Sequence, residues 1–370
     1  METYNWQQSD WPDFTYSLEG LEDDLFLFAE KAGRVTGKWQ ALPDDAQQES
    51  VIAMMVAEAI KTSSIEGEFL SRSDVLSSIR KKLGLHSEAK TIKDRRAAGA
   101  AELMIDVRRT WHEPLTEEKI FNWHRMLLKG TEGLTLGAWR THEEPMQVVS
   151  GALGRQKIHY EAPPSSMIPQ EMQRFIAWFN DSAPEGRNGI REAPIRSAIA
   201  HLYFETIHPF EDGNGRIGRA IAEKALSQGM GRPALLSLSD AIESRKKDYY
   251  SVLEQAQRSN EITGWIRYFT RTILDAQSRS EEQIDFTLRK VKFFDRFRDR
   301  LNERQRKVIN RMLDEGPDGF ESGMNARKYI GITKTSKATA TRDMQYLVEI
   351  GAFRRSGSAG GRSTRYQVDL

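Results

Sequence analysis

The sequence contains no cysteine. That excludes disulfides, a thiol nucleophile and a cysteine-ligated zinc site. It has no run of about 18 apolar residues, so no membrane-spanning helix is expected. The opening Met1-Glu2-Thr3-Tyr4-Asn5-Trp6 is polar and lacks the charged-then-apolar order of a secretory signal. The expectation is therefore a cytoplasmic protein with no membrane partner. Nor is one sign of charge in excess: Lys and Arg number 54, Asp and Glu 53, for a net charge of +1. Bulk charge thus predicts no general attraction to nucleic acid, although an average conceals local patches. No Gly-Lys-[Ser/Thr] closes a glycine loop, which excludes a Walker A site. No internal repeat is evident. At 370 residues the chain is long enough for two or three domains and an ample core.

Most of the chain reads as helix. An aromatic, aperiodic opening (Trp6, Trp11, Phe14, Tyr16) is expected to lie as an arm against a helical body. From Asp44 the apolar residues Val51, Met54, Met55 and Ala59 recur at helical spacing, up to Thr62-Ser63-Ser64-Ile65-Glu66-Gly67. Further helices are expected over Lys93–Arg109, from Thr116 to Leu128, and over Glu171–Phe179. Another opens at Pro194 with Ile195, Ile199, Leu202 and Thr206 along one stripe. Helices are also expected over Ile217–Gln228, Arg245–Ala256 and Trp265–Ala276. Val148-Val149, a Gly151–Gly154 turn and Lys157-Ile158-His159-Tyr160 predict a short β-hairpin.

The chemistry concentrates in His208-Pro209-Phe210-Glu211-Asp212-Gly213-Asn214-Gly215-Arg216-Ile217-Gly218-Arg219. Gly213, Gly215 and Gly218 admit backbone conformations that other residues avoid. With Asn214 among them, their N–H groups can form an anion nest at the N-terminus of the helix that Ile217 begins. Arg216 and Arg219 offer two planar, permanently charged forks for outer phosphates. Asp212 can supply one carboxylate to Mg²⁺. His208 can accept a proton near neutral pH. Phe210 is expected to anchor the loop in the core.

Rival readings of this segment exist. Gly213-Asn214-Gly215-Arg216-Ile217-Gly218 formally matches the GxGxxG dinucleotide fingerprint, but the fingerprint requires a preceding strand and Pro194–Ile207 reads as helix. A plain glycine-rich loop would not need His, Asp, Asn and two Arg together. His201, His208 and Asp212 could ligate a metal, yet no further ligand cluster is apparent, and His201 is expected to be a core histidine.

The run closely resembles the signature of the Fic (filamentation induced by cyclic AMP) family, HPFx[DE]GNGRxxR, with every specified position filled. The resemblance extends over roughly Leu115–Trp265, through Gly137-x-Trp139-Arg140, the Val148–Tyr160 hairpin with Pro163-Pro164, His201–Ile207 and Tyr249-Tyr250. It implies a mainly all-α fold, a Fic helical core with a small β-hairpin flap. It also implies transfer of AMP from ATP, with Mg²⁺, to a Ser, Thr or Tyr hydroxyl of a protein target. By that resemblance His208 is the general base and Asp212 the Mg²⁺ ligand. Gly213, Asn214 and Gly215 line the α- and β-phosphate cradle, within a binding segment that runs on through Ile217 and Gly218. Arg216 meets the β-phosphate, Arg219 the γ-phosphate, and Tyr250 packs near the adenine. The flap clamps an extended target segment.

Thr62-Ser63-Ser64-Ile65-Glu66-Gly67 resembles the family's inhibitory motif, [ST]xxxE[GN]. The implied contact is Glu66 with Arg219, which would occupy the γ-phosphate site. The plainer reading is a helix C-terminus capped by Gly67. In some relatives the inhibitory Glu helps water remove AMP, so reverse chemistry stays open, as do self-modification and a homodimer.

The C-terminal segment reads as helices over Arg304–Asp314, Asn325–Ile330 and Ser336–Ile350, a turn at Gly331-Ile332-Thr333, then strand, Gly-rich tip and strand. This resembles a winged helix-turn-helix. From Gly323 to Leu370 nine Lys/Arg face three Asp/Glu, a local excess of six. Lys334, Lys337 and Arg342, with Thr335 and Thr339, would lie near a DNA groove, and Arg354, Arg355, Arg362 and Arg365 near backbone phosphates. Protein contact is the alternative use of such a face. The expected domains are residues 1–112 (arm and inhibitory helix), 113–278 (Fic), 279–302 (linker helix) and 303–370 (winged helix). A different class of function, a DNA-binding transcriptional regulator whose Fic core senses nucleotide, is carried as the alternative.

Overall fold

The structure is a computed structural model, and it describes residues 3–85, 94–150, 157–317, 319–320, 322–356 and 364–370. Among them the chain forms α1 (Glu22–Gln40), α2 (Asp44–Ile65), α3 (Arg72–Lys82), α4 (Arg95–Arg109) and α5 (Glu117–Leu127). The hairpin β1 (Gln147–Ser150) and β2 (Lys157–Glu161) follows, then α6 (Ile168–Asp181), α7 (Ala193–Ile207), α8 (Asn214–Met230), α9 (Leu238–Ser244), α10 (Lys246–Ala256) and α11 (Thr263–Arg296). Last come α12 (Glu303–Leu313), α13 (Ala326–Thr333), α14 (Lys337–Glu349) and the hairpin β3 (Phe353–Ser356) and β4 (Arg365–Val368). The fold is mainly helical, as expected. Two compact units are distinguished: Met1–Thr36 with Met54–Ser280, and Gly37–Ala53 with Glu281–Leu370.

In the first unit α7 is the central element. The sequence predicts a single apolar stripe, but all 15 of its residues are buried. A helix covered on every side must satisfy its polar groups internally. Arg196 does so by donating to Phe179 O, Ala225 O, Ser182 Oγ and Gln228 Oε1. α8 crosses α7 closely. A Cβ at Gly229 would lie 2.5 Å from Ala193 Cβ, and one at Gly218 would overlap Glu205 Oε1.

Three helices, α1, α3 and α9, are not anticipated by the periodicity. α1 buries only Phe28, Ala32 and Val35, and α3 only Val75, Ser78 and Ile79, stripes too narrow to stand out from polar surroundings. α9 has just seven residues. The linker helix expected over 279–302 is not a separate element. α11 runs unbroken from Thr263 to Arg296, and α12 restarts after the cap Asn302, whose side chain accepts from Gln305 N. Dense charge there marks a solvated helical face rather than a break.

The aromatic arm packs as expected. Trp11 and Phe14 meet the Tyr203 ring edge-on, Trp6 Nε1 donates to Glu161 O, and Trp11 Nε1 donates to Glu171 Oε2. Asn5 is fully buried and donates to Thr206 Oγ1. The β1–β2 pair is antiparallel, with a bulge between Val148 and Val149. The Gly151–Gly154 turn lies outside the described residues.

The second unit has its own core, with Phe293, Phe297, Val308, Ile309, Tyr329, Leu347 and Phe353 buried. Buried Asp343 accepts from Tyr329 Oη at 2.9 Å and from Arg304 Nε at 3.2 Å. The turn expected at Gly331-Ile332-Thr333 is helical instead: α13 continues to Thr333 and the chain reverses at Lys334, with φ 57°. β3 and β4 pair antiparallel, Phe353 opposite Val368. The Gly-rich tip from 357 to 361 and Arg362 lie outside the described residues.

Candidate active site

The site is built where α7 stops and α8 begins. His208 caps α7 in the left-handed region, φ 50° and ψ 60°. A non-glycine residue is held there only when its surroundings over-determine it. Here its N–H donates to Phe204 O, and its carbonyl accepts from Arg140 Nε at 2.9 Å. Buried Arg140 also donates to Ser165 Oγ and to the carbonyls of Pro163 and Ile207. Desolvation pushes its guanidinium down to about 10. Gly137-x-Trp139-Arg140 thus serves the site by fixing the backbone under His208, a role the sequence left unassigned.

The loop is closed by its own side chains. Asn214 Oδ1 accepts from Phe210 N at 2.9 Å, and its Nδ2 donates to Phe210 O at 2.8 Å. Phe210 is fully buried, as expected, and stacks on His124 with ring centroids 4.0 Å apart. His124 Nδ1 accepts from Gly137 N, which leaves Nε2 as the donor to Asp212 O at 3.2 Å. His124 was another residue invisible to motif reading, since its partners are backbone groups distant in sequence.

The glycine expectation needs correction. Only Gly213 has positive φ, 88°, and α8 begins at Asn214 rather than at Ile217. Gly215 and Gly218 are ordinary helical residues. They are small because a Cβ on Gly215 would overlap Glu66 Oε1 and one on Gly218 would overlap Glu205 Oε1. Crowding, not backbone freedom, is their reason.

A cleft of about 920 Å³ opens over this turn. Its lining includes His208, Asp212, Gly213, Asn214, Gly215, Arg219, Glu66 and Tyr250. Arg216, Ile217 and Gly218 are not among the lining residues. Ile217 is wholly buried, and Arg216 is engaged with Glu68 at 2.6 Å and Asp212 at 3.0 Å. Arg219 is 1% exposed. Its Nη2 donates to Glu66 Oε1 at 2.8 Å and to Thr62 O at 2.9 Å, and its Nε donates to Thr62 Oγ1 at 2.8 Å. Burial, the largest single influence, would weaken the Arg219 cation, but the charge and hydrogen bond of Glu66 together with Tyr249 and Glu205 outweigh it and raise the guanidinium above its ordinary value. Glu66 follows the last residue of α2, and Gly67 (φ 82°) turns the chain, so the helix-end reading and the Arg219 contact both hold.

Burial dominates the titration of the site. It pushes His208 down to about 4, with the Arg140 charge adding to the effect. It pushes Glu205, one turn earlier on α7, up to about 8. The His201 ring is a core group, as expected: its Nε2 lies 2.8 Å from Tyr249 Oη, and burial lowers it to about 3. Tyr250 Oη donates to Ile65 O at 3.4 Å.

No three His, Asp or Glu side chains among the described residues come together as a metal cage. Asp212 is a single carboxylate, 47% exposed, on the cleft wall. One hard oxygen donor beside an anion cradle fits Mg²⁺ held largely by a ligand's own phosphates and by water.

Comparison with known proteins places the domain and the fold. Residues 114–226 match the Fic/DOC family, and residues 4–85 match a domain of unknown function, DUF4172. The chain carries a Fic/DOC family domain. It is 28% identical over 160 residues to the protein adenylyltransferase Fic of Nematostella vectensis, covering 43% of this chain and 32% of that protein. It is 25% identical over 160 residues to protein adenylyltransferase fic-1 of Caenorhabditis elegans, covering 43% of this chain and 27% of that one. The chain thus spans about a third or less of the length of these curated relatives. Its fold is similar to the crystal structure of a Fic family protein from Desulfovibrio desulfuricans G20, with a TM-score of 0.52, 20% identity, and coverage of 97% of this chain and 98% of that chain. No described helix is long and apolar enough to cross a membrane.

Proposed function

We propose that this protein is a self-inhibited protein adenylyltransferase that transfers AMP from ATP to a Ser, Thr or Tyr hydroxyl of a protein target and releases pyrophosphate. The observation that carries the reading is the convergence, in one cleft, of an imidazole, a carboxylate, a helix N-terminus and a buried guanidinium. The α8 N-terminus at Asn214 and Gly215 offers first-turn N–H groups and a favourable dipole to phosphate, while the Gly213 N–H donates to Asp212 Oδ1. Mg²⁺, held by Asp212 with the nucleotide's phosphates, would neutralise charge on the leaving group. His208, uncharged at neutral pH, would accept the target hydroxyl's proton. Tyr250 would flank the base, and the exposed Val149 and Ile158 of the hairpin would face the target strand.

Glu66 is the inhibitory element in this reading. It occupies the guanidinium that would hold the γ-phosphate, so ATP cannot seat productively until Glu66 leaves. The test is incubation of the Glu66→Gly protein with labelled ATP and Mg²⁺. Labelled self-modification or target modification is expected, and its absence would overturn the reading. Transfer by wild type equal to that of the variant would remove the inhibitory role alone. Removal of AMP by the wild-type protein is measured on the same labelled product.

A second reading concerns the C-terminal unit. Lys334, Lys337, Arg342, Arg354 and Arg355 are exposed, and none has an ion pair among the described residues. Such a face suits phosphate contacts, which makes a DNA-binding regulator with a nucleotide-sensing core the alternative. Gel shifts at several salt concentrations test it, since counterion release makes affinity fall steeply with salt.

A further inference from the structure

Glu205 is a buried carboxyl of the cleft to which the reaction as described gives no work. It lies on α7, one turn before His208, and its side chain is 6% exposed. Oε2 is 3.8 Å from His208 Nδ1, while Oε1 is buried without a hydrogen-bond partner among the described residues. Gly218 on α8 leaves the space it occupies. A buried carboxyl with an unsatisfied oxygen is costly to keep, so a purely structural role would be served better by an apolar side chain.

We propose that Glu205 is a positioning residue that, when ionised, stands behind His208 and stabilises the charge the imidazole acquires on accepting the target's proton. Nδ1 of His208 faces α7, 3.4 Å from the Glu205 carbonyl and close to the Glu205 carboxyl. Nε2 is therefore the atom left for the hydroxyl. In the step, the hydroxyl proton moves to Nε2, Nδ1 keeps its hydrogen, and the hydroxyl oxygen bonds to the α-phosphorus as pyrophosphate leaves. Glu205 exchanges no proton in the step, having lost its own to solvent beforehand. An opposite charge within about 4–6 Å raises the basicity of the ring.

The charged groups around the pair are few. Arg140, Glu66 and Asp212 act on His208, Arg219 favours ionised Glu205, and Glu66 opposes it. Burial holds Glu205 near 8 in the closed state, where the Glu66 charge contributes to that rise. Release of Glu66 therefore moves Glu205 toward ionisation at neutral pH.

The inference rests on the assignment of His208 as the base, and the experiment separates the two. In the Glu66→Gly background, kcat and KM for ATP are measured from pH 6 to 9.5 for the Glu205, Glu205→Gln and Glu205→Asp proteins. The ¹⁵N resonances of the His208 ring are followed over the same range. With Glu205 intact, kcat is expected to rise by roughly tenfold through a limb at or below about 8, with KM unchanged. The ring resonances should step at the same pH. Gln should erase both, and Asp should keep a displaced limb. A limb and a resonance step that persist in the Gln protein would overturn the role of Glu205. Absence of AMP transfer from the Glu205-intact protein would overturn the base assignment, while the resonance step still reports whether Glu205 faces the ring.

Discussion

The two basic clusters of this chain differ in one respect that decides what each can do. In the cleft, Arg219 is almost wholly buried and bonded through Thr62 and Glu66, and Arg216 is bonded to Glu68 and Asp212. In the C-terminal unit, Lys334, Lys337, Arg342, Arg354 and Arg355 stand in water. A guanidinium fixed in a dry setting presents a set geometry and a strong field to one small anion. Solvated, mobile cations give salt-sensitive, sequence-tolerant attraction to a long polyanion. Similar residue types therefore serve different tasks according to burial.

The largest effect that would break this contrast lies in the cleft. His208→Ala in the Glu66→Gly protein is expected to lower AMP transfer by roughly 10²–10⁴-fold, with ATP affinity by calorimetry retained. Next is Glu66→Gly itself. Losing a charge-assisted contact on a buried guanidinium should raise transfer by roughly ten- to hundredfold over wild type, read with labelled ATP. Glu68→Gln sharpens the comparison, because Glu68 holds Arg216 much as Glu66 holds Arg219. Glu68 is 28% exposed and Arg216 is kept by Asp212 as well, so the rise should stay below that of Glu66→Gly in the same assay. On the exposed side, Lys337→Ala or Arg342→Ala should each reduce the salt slope of DNA binding by about 1, measured by gel shift.

Acid and base should erode the cleft unit in opposite ways. His208 is held near 4, below its ordinary 6.5, so the unfolded chain binds the proton first and stability falls as pH drops from 6.5 toward 4. Glu205 is held near 8, above its ordinary 4.5, so the folded protein keeps the proton, and this contribution is lost as pH rises from 4.5 to about 8. Melting curves from pH 4 to 9 should show a shallower rise between 4 and 6.5 for His208→Ala, and for Glu205→Gln the loss of a decline that runs from 4.5 to about 8.

Much of this was legible in the residues. The motif from His208 to Arg219 and the Glu66 turn stand out because their chemistry is packed into short windows. What stayed hidden had its partners far away in sequence. Arg140 and His124 act on carbonyls and amides of the motif loop, and such contacts leave no periodic trace. The glycines were misjudged for a related reason. Gly215 and Gly218 yield space to Glu66 and Glu205, carboxylates brought in by tertiary packing. The all-round burial of α7 is not visible in a single apolar stripe, because Arg196 and Glu205 are charged residue types whose enclosed setting comes only from tertiary packing.

Glu66 and Arg219 are separated by 153 positions in the chain. On the ribosome the carboxylate emerges first, and the guanidinium can fold only onto a surface already synthesised. On the proposed self-inhibited reading, a newly made molecule would assemble its cleft around the Glu66 side chain and need never pass through an unguarded form on its way out of translation.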